Sequence, residues 1–222
     1  MHAPCVRDFP LTLFSAIMEK TNQGGAAMSS LLMSTANTRQ VLPGSFRYLR
    51  SDAPLAPTEQ DIAYLLAHGV TMLIDLRAED ELLRKPCPLA SHPAFVYHSM
   101  PVTGGGALPD SVEDVPYSYL RMVDGQMTRI LRTIRVAEGG VMFFCAAGKD
   151  RTGVVAALLQ RQAGMAREDI IADYVRSGDH LKEMFTGFVR EHPEINIAVC
   201  TPYAEYMDAF LDLLKTHKWE QP

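Results

Sequence analysis

The sequence of 222 residues has no apolar run near the roughly 20 residues that a membrane-crossing helix requires, so no span is expected in it. Cysteine is scarce and scattered. Cys5, Cys87, Cys145 and Cys200 include no C-x-x-C pair, which gives neither a disulfide framework nor a zinc site. Basic charge is not in excess, because 21 Lys and Arg face 26 Asp and Glu, for a net charge of −5 with both signs interspersed. Without a basic stripe, nucleic acid is not expected as a partner. The apolar stretch from Pro10 to Met18 is preceded only by the charges of Arg7 and Asp8. That is a poor match to a secretory signal, and a cytoplasmic location is expected. Internal repeats and low-complexity tracts are also missing.

What is present suits one domain with a sizeable core and a tail. Residues 1–35 lack sustained periodicity, and Asn22 to Ser30 are mostly small or polar, so a flexible N-terminal extension is expected there, with residues 36–222 as the folded domain. One stretch organises the rest. Val141-Met142-Phe143-Phe144 reads as a strand, Cys145 to Lys149 as a loop, and a helical pattern begins near Asp150. Five residues separate Cys145 from Arg151, enough to close a ring of backbone N–H groups around a tetrahedral dianion. Small side chains at Ala146, Ala147 and Gly148 leave those donors open. Lys149, Arg151 and the positive end of the following helix act on the same point, so an anion is expected there, and the same field favours a thiolate at Cys145. A phosphate pocket with a thiolate at its floor is a phosphoryl-transfer site.

The run from Cys145 to Arg151, followed by Thr152-Gly153, resembles the signature loop of the cysteine-dependent protein tyrosine phosphatases. Its inner residues Gly148-Lys149-Asp150-Arg151-Thr152-Gly153 are similar to those of the bacterial branch whose members act on phosphotyrosine, phosphoserine/threonine and phosphoinositides. Asn37-Thr38-Arg39 and the run Phe46 to Ser51 resemble the N-terminal block of that branch, without the paired glycines usual between the two pieces. Read alone, Arg47 and Arg50 are surface charges.

The resemblance implies an α/β fold with a short, mostly parallel central sheet flanked by helices, and makes residues 36–222 a phosphatase domain. It implies hydrolysis of phosphate monoesters through a phosphocysteine intermediate, with a phosphorylated protein or a phosphoinositide as substrate and no metal or other cofactor. Cys145 would attack phosphorus. Arg151 and the loop residues Ala146, Ala147, Gly148 and Lys149 would hold the phosphoryl oxygens, and the Thr152 hydroxyl would meet the departing thiolate. The Lys149 charge would reach a second phosphate on an inositol lipid. Relatives usually carry His immediately before the nucleophile, where this chain has Phe144. Two other classes compete: a catalytically silent phosphate-binding module, and a sulfurtransferase, which Lys-Asp-Arg-Thr-Gly fits poorly.

Three carboxylates compete for the role of proton donor. Asp150 stands inside the signature loop and is favoured. Asp114 comes next, because it precedes Cys145 at a distance similar to that of the loop acid in many relatives. Asp75 is third: it ends the apolar run Val70 to Leu76, and Asp75-Leu76-Arg77 is an element typical of the family near its site. The residue pattern gives equal weight to a structural pairing of Asp75 with Arg77.

Elsewhere, Thr58 and Asp61 have capping-box spacing at the head of a helix running to His68. Phe95 to Val102 is a second strand. Thr103 to Pro116, with three glycines and two prolines, reads as a loop, and a solvated linker is favoured over a flap. Apolar spacing predicts a single helix over Tyr117 to Val136, and further helices over Glu168 to Arg176, Leu181 to Val189 and Tyr203 to Leu214. His180, His192 and His217 read as surface residues rather than ligands.

Overall fold

The computed structural model describes residues 30–219. Five strands form one sheet: β1 (Arg39–Gln40), β2 (Tyr48–Asp52), β3 (Val70–Asp75), β4 (Val96–Ser99) and β5 (Gly140–Cys145). Their order is β1-β2-β5-β3-β4, with β1 antiparallel to β2 and every other pairing parallel. The expected short, mostly parallel sheet flanked by helices is the observed fold. The eight α-helices among the described residues are α1 (Glu59–Ala67), α2 (Glu79–Arg84), α3 (Val115–Arg121), α4 (Gly125–Val136), α5 (Asp150–Gln162), α6 (Arg167–His180), α7 (Lys182–Glu191) and α8 (Ala204–Thr216). None of them is long and apolar enough to cross a membrane.

β5 is the centre because its side chains are apolar on both faces, and a strand buried on both faces needs no alternation. Val141, Phe143 and Cys145 point into a large core shared with α4, α5 and α8, through Ile130, Ile134, Val154, Leu158 and Phe210. Met142 and Phe144 point into a smaller core with Leu32, Leu65 and Phe95. The Arg77 guanidinium lies over the Phe144 ring, 5.8 Å from its centroid. In a parallel sheet covered in this way the strand C-termini share one edge, and there the loop after β5 opens.

The helix at Thr58 starts as its sequence dictates. Asp61 N–H donates to Thr58 Oγ1 (3.1 Å), and Thr58 N–H donates to Asp61 Oδ2 (3.0 Å). The expected single helix from Tyr117 to Val136 is instead two, α3 and α4, because Asp124 takes an extended conformation and its Oδ1 accepts from the amides of Gln126 (2.9 Å) and Met127 (3.0 Å). A side chain that satisfies the first amides of a new helix makes the break favourable despite unbroken apolar spacing. The expected flexible extension over 1–35 lies, for residues 1–29, outside the described residues. Ser30 to Thr35 are tied to the domain: Leu32 is buried, and the amides of Met33 and Ser34 donate to the Asp61 carboxylate at 2.6 and 3.2 Å. All three histidines read as surface residues are half-buried, His180 bonding Ala36 O (2.9 Å), His192 bonding Glu194 Oε1 (3.1 Å) and His217 bonding Val123 O (2.8 Å).

One buried ion cluster joins the sheet edge to α6. Arg39 Nε donates to Asp173 Oδ1 at 2.7 Å, and Arg50 Nη1 donates to Asp173 Oδ2 at 2.6 Å. Arg50, expected at the surface, is 1 % exposed. Burial, and then Arg50, push the Arg39 guanidinium below its ordinary value, as expected where two cations share one carboxylate. Burial opposes ionisation of Asp173 as well, yet Arg50 and Arg39 outweigh it and hold its carboxyl at about 2, below the ordinary 3.8. The folded chain releases that proton more readily than the unfolded one. Asp173 therefore contributes stability in full above pH 3.8 and loses it as pH falls toward 2. Asp173→Asn is expected to lower the unfolding free energy by about 3–5 kcal/mol, the cost of breaking a buried pair from one side. Urea unfolding reads this as a lower midpoint at constant slope. An unchanged midpoint would mean that the two guanidiniums find other partners.

Candidate active site

The loop after β5 is held by its carbonyls. Ala53 N–H donates to Ala146 O (3.2 Å), Asn37 Nδ2 to Ala147 O (3.0 Å) and Gly148 O (3.1 Å), and Arg50 Nη2 to Gly148 O (2.8 Å). In a trans peptide the N–H points opposite to the carbonyl of the same plane. Pinning three successive carbonyls toward β2 therefore turns the amides of Ala147, Gly148 and Lys149 away from it, toward the pocket that Cys145, Ala146, Ala147 and Lys149 line. Gly148 has φ +68°, and a Cβ there would stand 2.6 Å from Asp52 N and Ser51 C, so only glycine fits. Asn37 is itself fixed by Arg39, which donates to its side-chain and main-chain oxygens, and by Asp52, whose Oδ1 accepts from Asn37 N–H at 2.8 Å. Burial pushes the Asp52 carboxyl up to about 6, against the opposing pull of the Ala36 and Asn37 amides.

Cys145 ends β5 at 3 % exposure, at the floor of this cradle. The helix α5 begins at Asp150, and no side chain caps its start, so its N-terminal field faces the same pocket. Thr152 is fully buried on the first turn, and its Oγ1 has no hydrogen-bond partner among the described residues. A buried hydroxyl left unpaired costs free energy unless something in the working site meets it.

Arg151 is clamped from both sides. Its Nη1 donates to Glu81 Oε2 (2.5 Å) and its Nη2 to Glu81 Oε1 (3.0 Å), with both side chains buried. Glu81 Oε2 also accepts from Ala78 N–H (2.8 Å), which ties the carboxylate to the start of α2. Burial opposes both charges. Arg151 nonetheless holds its proton above the ordinary value through Cys145 and Glu81, and the Glu81 carboxyl lies below its ordinary value through Arg151. On the other side, the loop from Thr103 to Pro116 rests on the Arg151 stem: a Cβ on Gly105 would stand 2.5 Å from Arg151 Cγ. Sequence reasoning missed Glu81; its one signal was a glutamate four residues after the end of the Asp75-Leu76-Arg77 element, in capping-box spacing with Ala78. The 103–116 segment, read mainly as a linker, lines the pocket with Gly105, Ala107, Leu108 and Pro109.

The three candidate acids are not equivalent. Asp75 is fully buried and accepts from Arg77 Nη2 (2.6 Å) and Tyr97 OH (2.9 Å), a structural pairing off the pocket wall. Asp114 pairs with Arg121 (3.0 and 2.8 Å), also off the wall. Asp150 is the one carboxylate among the described residues that lines the pocket, its side chain 39 % exposed. Its Oδ1 accepts from Tyr119 OH (2.5 Å) and pairs with Lys149 Nζ (3.0 Å). Lys149 Nζ also donates to Cys200 O at 2.5 Å, and its side chain is 2 % exposed. The ammonium expected to reach a second phosphate is thus turned onto protein oxygens, and it secures the segment carrying Val199 and Cys200 as one pocket wall.

A sequence model of the tyrosine phosphatase family matches residues 28–218. A tyrosine-protein phosphatase of Nostoc commune is 33 % identical over 135 residues, covering 56 % of this chain and 46 % of that protein, so this chain spans under half of that relative's length. A Cupriavidus necator protein, provisionally named as a tyrosine-protein phosphatase, is 28 % identical over 90 % of this chain and 75 % of its own length. Among solved structures, P. aeruginosa TpbA is 18 % identical, with a TM-score of 0.41 over 81 % of this chain and 97 % of that one. With the family match running from before the first described strand to the end of the last helix, the chain belongs to the tyrosine phosphatase family.

Proposed function

We propose that this protein hydrolyses phosphate monoesters, phosphotyrosine first among them, by way of a phosphocysteine. The observation that carries the reading is a ring of inward amides with Cys145 beneath it, a clamped Arg151 beside it and a single carboxylate, Asp150, on the wall. The cradle accepts the three non-bridging oxygens, with the N–H groups of Arg151 that Glu81 leaves free, Nε–H and a second Nη hydrogen, on two of them. Cys145 Sγ, as thiolate, forms a bond to phosphorus while the ester P–O bond breaks. The electron pair of that bond goes to the leaving oxygen, which takes a proton from Asp150. Water then attacks phosphorus and gives a proton to Asp150, and Sγ departs as thiolate toward the unpaired Thr152 hydroxyl.

The substrate range follows from the walls. Leu108, Pro109 and Val199 offer apolar contact to an aryl ring, which favours phosphotyrosine over phosphoserine and phosphothreonine. Lys149, committed to Cys200 O and Asp150, supports no second phosphate site, so inositol lipids carrying several phosphates gain no advantage. The silent binding module is the second reading, and intact Cys145 and Arg151 speak against it.

Release of inorganic phosphate from phosphotyrosine, phosphoserine/threonine and phosphoinositide substrates tests this directly. Phosphotyrosine is expected to turn over fastest. Cys145→Ser is expected to abolish turnover while still binding substrate, and Lys149→Ala to lower activity by a similar factor on every substrate. Phosphate binding without turnover in the unaltered protein would establish the silent module instead, and a Lys149→Ala loss confined to the inositol lipids would restore the second phosphate site. Gly105→Ala offers a separate check on the clamp. The added methyl must push the Arg151 stem or the loop aside, and displacing a positioning group by about 1 Å costs on the order of 10²-fold in rate. Near-normal kinetics in that variant would mean that the loop, not the guanidinium, yields.

A further inference from the structure

The proton donor has a support that the reaction scheme does not use. Tyr119 on α3 and Tyr174 on α6 are each 1 % exposed, and their hydroxyl oxygens stand 2.6 Å apart. Tyr119 OH donates to Asp150 Oδ1 at 2.5 Å. A phenol carries one hydrogen, so with that of Tyr119 committed to Asp150 the donor in the second bond is Tyr174. The result is a directed chain, Tyr174 to Tyr119 to Asp150, in which each bond polarises the next.

Burial, and then the charge of Asp150, raise both phenols well above their ordinary value, so both keep their hydrogens. The rings are fixed by packing. Tyr119 meets Tyr174 edge to face at 6.0 Å and Phe210 at 6.0 Å, and Tyr174 packs over Gly153, where a Cβ would stand 3.4 Å from the ring. Two packed aromatics from different helices therefore form one chain that ends, through Tyr119, on one oxygen of the half-buried Asp150 carboxylate.

That oxygen is doubly served, since Lys149 Nζ stands 3.0 Å from the same Oδ1. An ammonium has only donors, and the Tyr119 hydrogen already points at Oδ1, so a proton on Oδ1 would face two others. Oδ2 has no hydrogen-bond partner among the described residues. Resting on the phosphatase reading above, we propose that Tyr119, held by Tyr174, is a positioning residue for Asp150: by occupying Oδ1 together with Lys149 it makes Oδ2 the oxygen that carries the proton and delivers it to the leaving group. When the P–O bond breaks, the Oδ2 proton moves to the ester oxygen, and the resulting carboxylate is stabilised by the Tyr119 and Lys149 donors. When water attacks the phosphocysteine, its proton returns to Oδ2. The tyrosines keep their own hydrogens throughout.

The experiment compares phenyl phosphate, a poor leaving group, with a nitrophenyl ester that leaves without help, in Asp150→Asn, Tyr119→Phe, Tyr174→Phe and the Asp150→Asn/Tyr119→Phe pair. Asp150→Asn tests the underlying reading: loss of a general acid is expected to slow phenyl phosphate by about 10²–10⁴-fold with a much smaller effect on the nitrophenyl ester. Tyr119→Phe is expected to slow phenyl phosphate about 10-fold or more, below the full loss of the acid. It should leave the nitrophenyl ester within about 3-fold and KM unchanged. Tyr174→Phe should do the same more weakly, and Tyr119→Phe should add no selective effect once Asp150 is Asn.

If Asp150→Asn is selective but Tyr119→Phe and Tyr174→Phe slow both esters equally, the tyrosines are structural and this inference fails while the reading beneath it stands. If Asp150→Asn is itself unselective, the assignment of the donor fails first. Thermal unfolding checks each variant, and Tyr174→Phe, which leaves the Tyr119 bond to Asp150 intact, decides the matter if Tyr119→Phe does not fold.

Discussion

Everything at this site depends on which way three peptide planes face. A carbonyl and the next amide are fixed back to back, so holding Ala146, Ala147 and Gly148 by their oxygens presents their following N–H groups to the cradle. The holders are an amide at the end of β2, the Asn37 side chain and the Arg50 guanidinium. Each buried carbonyl without a donor would cost about 1–3 kcal/mol, which makes the anchored carbonyls and the inward-facing amides one state. The short β1 and β2 at one side of the sheet carry these donors to the loop. Their two guanidiniums meet the carboxylate of Asp173 from α6, so the last third of the chain supports the floor of the pocket.

A second regularity is that the cations around the pocket are nearly all committed. Arg50 and Arg39 share Asp173, Arg151 faces Glu81, and Lys149 lies between Cys200 O and Asp150. Commitment fixes direction as well as charge. The Glu81 carboxylate occupies the two Nη groups, so the Arg151 fork has a defined plane before any substrate arrives, and the reorganisation at binding is small. Gly105 gives that plane its other wall by having no side chain to push against it.

The sequence made the centre of this arrangement legible because its signal is local. Val141 to Gly153 is one strand, one loop and one helix start, and both the apolar run and the small residues are visible within 13 positions. The capping box at Thr58 and Asp61 is legible for the same reason. Asn37 and Arg50 were visible only as parts of a block resembling the family's, and their partners, like those of Glu81 and Asp173, were not, since nothing local tells a buried paired group from a solvated one: the Arg39 to Asp173 bond spans 134 positions. The helix break at Asp124 failed differently. Apolar spacing continued through it, and the turn was decided by one side chain satisfying two amides. Lys149 was assigned by charge alone to a second phosphate, whereas the fold brings the Cys200 carbonyl to it from 51 residues away.

Those separations matter to a chain that emerges from its N-terminus. When synthesis has passed Gln162, Cys145, the loop and the Arg151 guanidinium have all been made, and Asn37 is available to hold two carbonyls. Asp173 has not appeared, so Arg39 and Arg50 would stand as two buried cations without their carboxylate, and the wall that Lys149 secures at Cys200 is still some 40 residues away by order of synthesis. The pocket around Cys145 is therefore completed only when α6 and the segment after α7 have been made and docked.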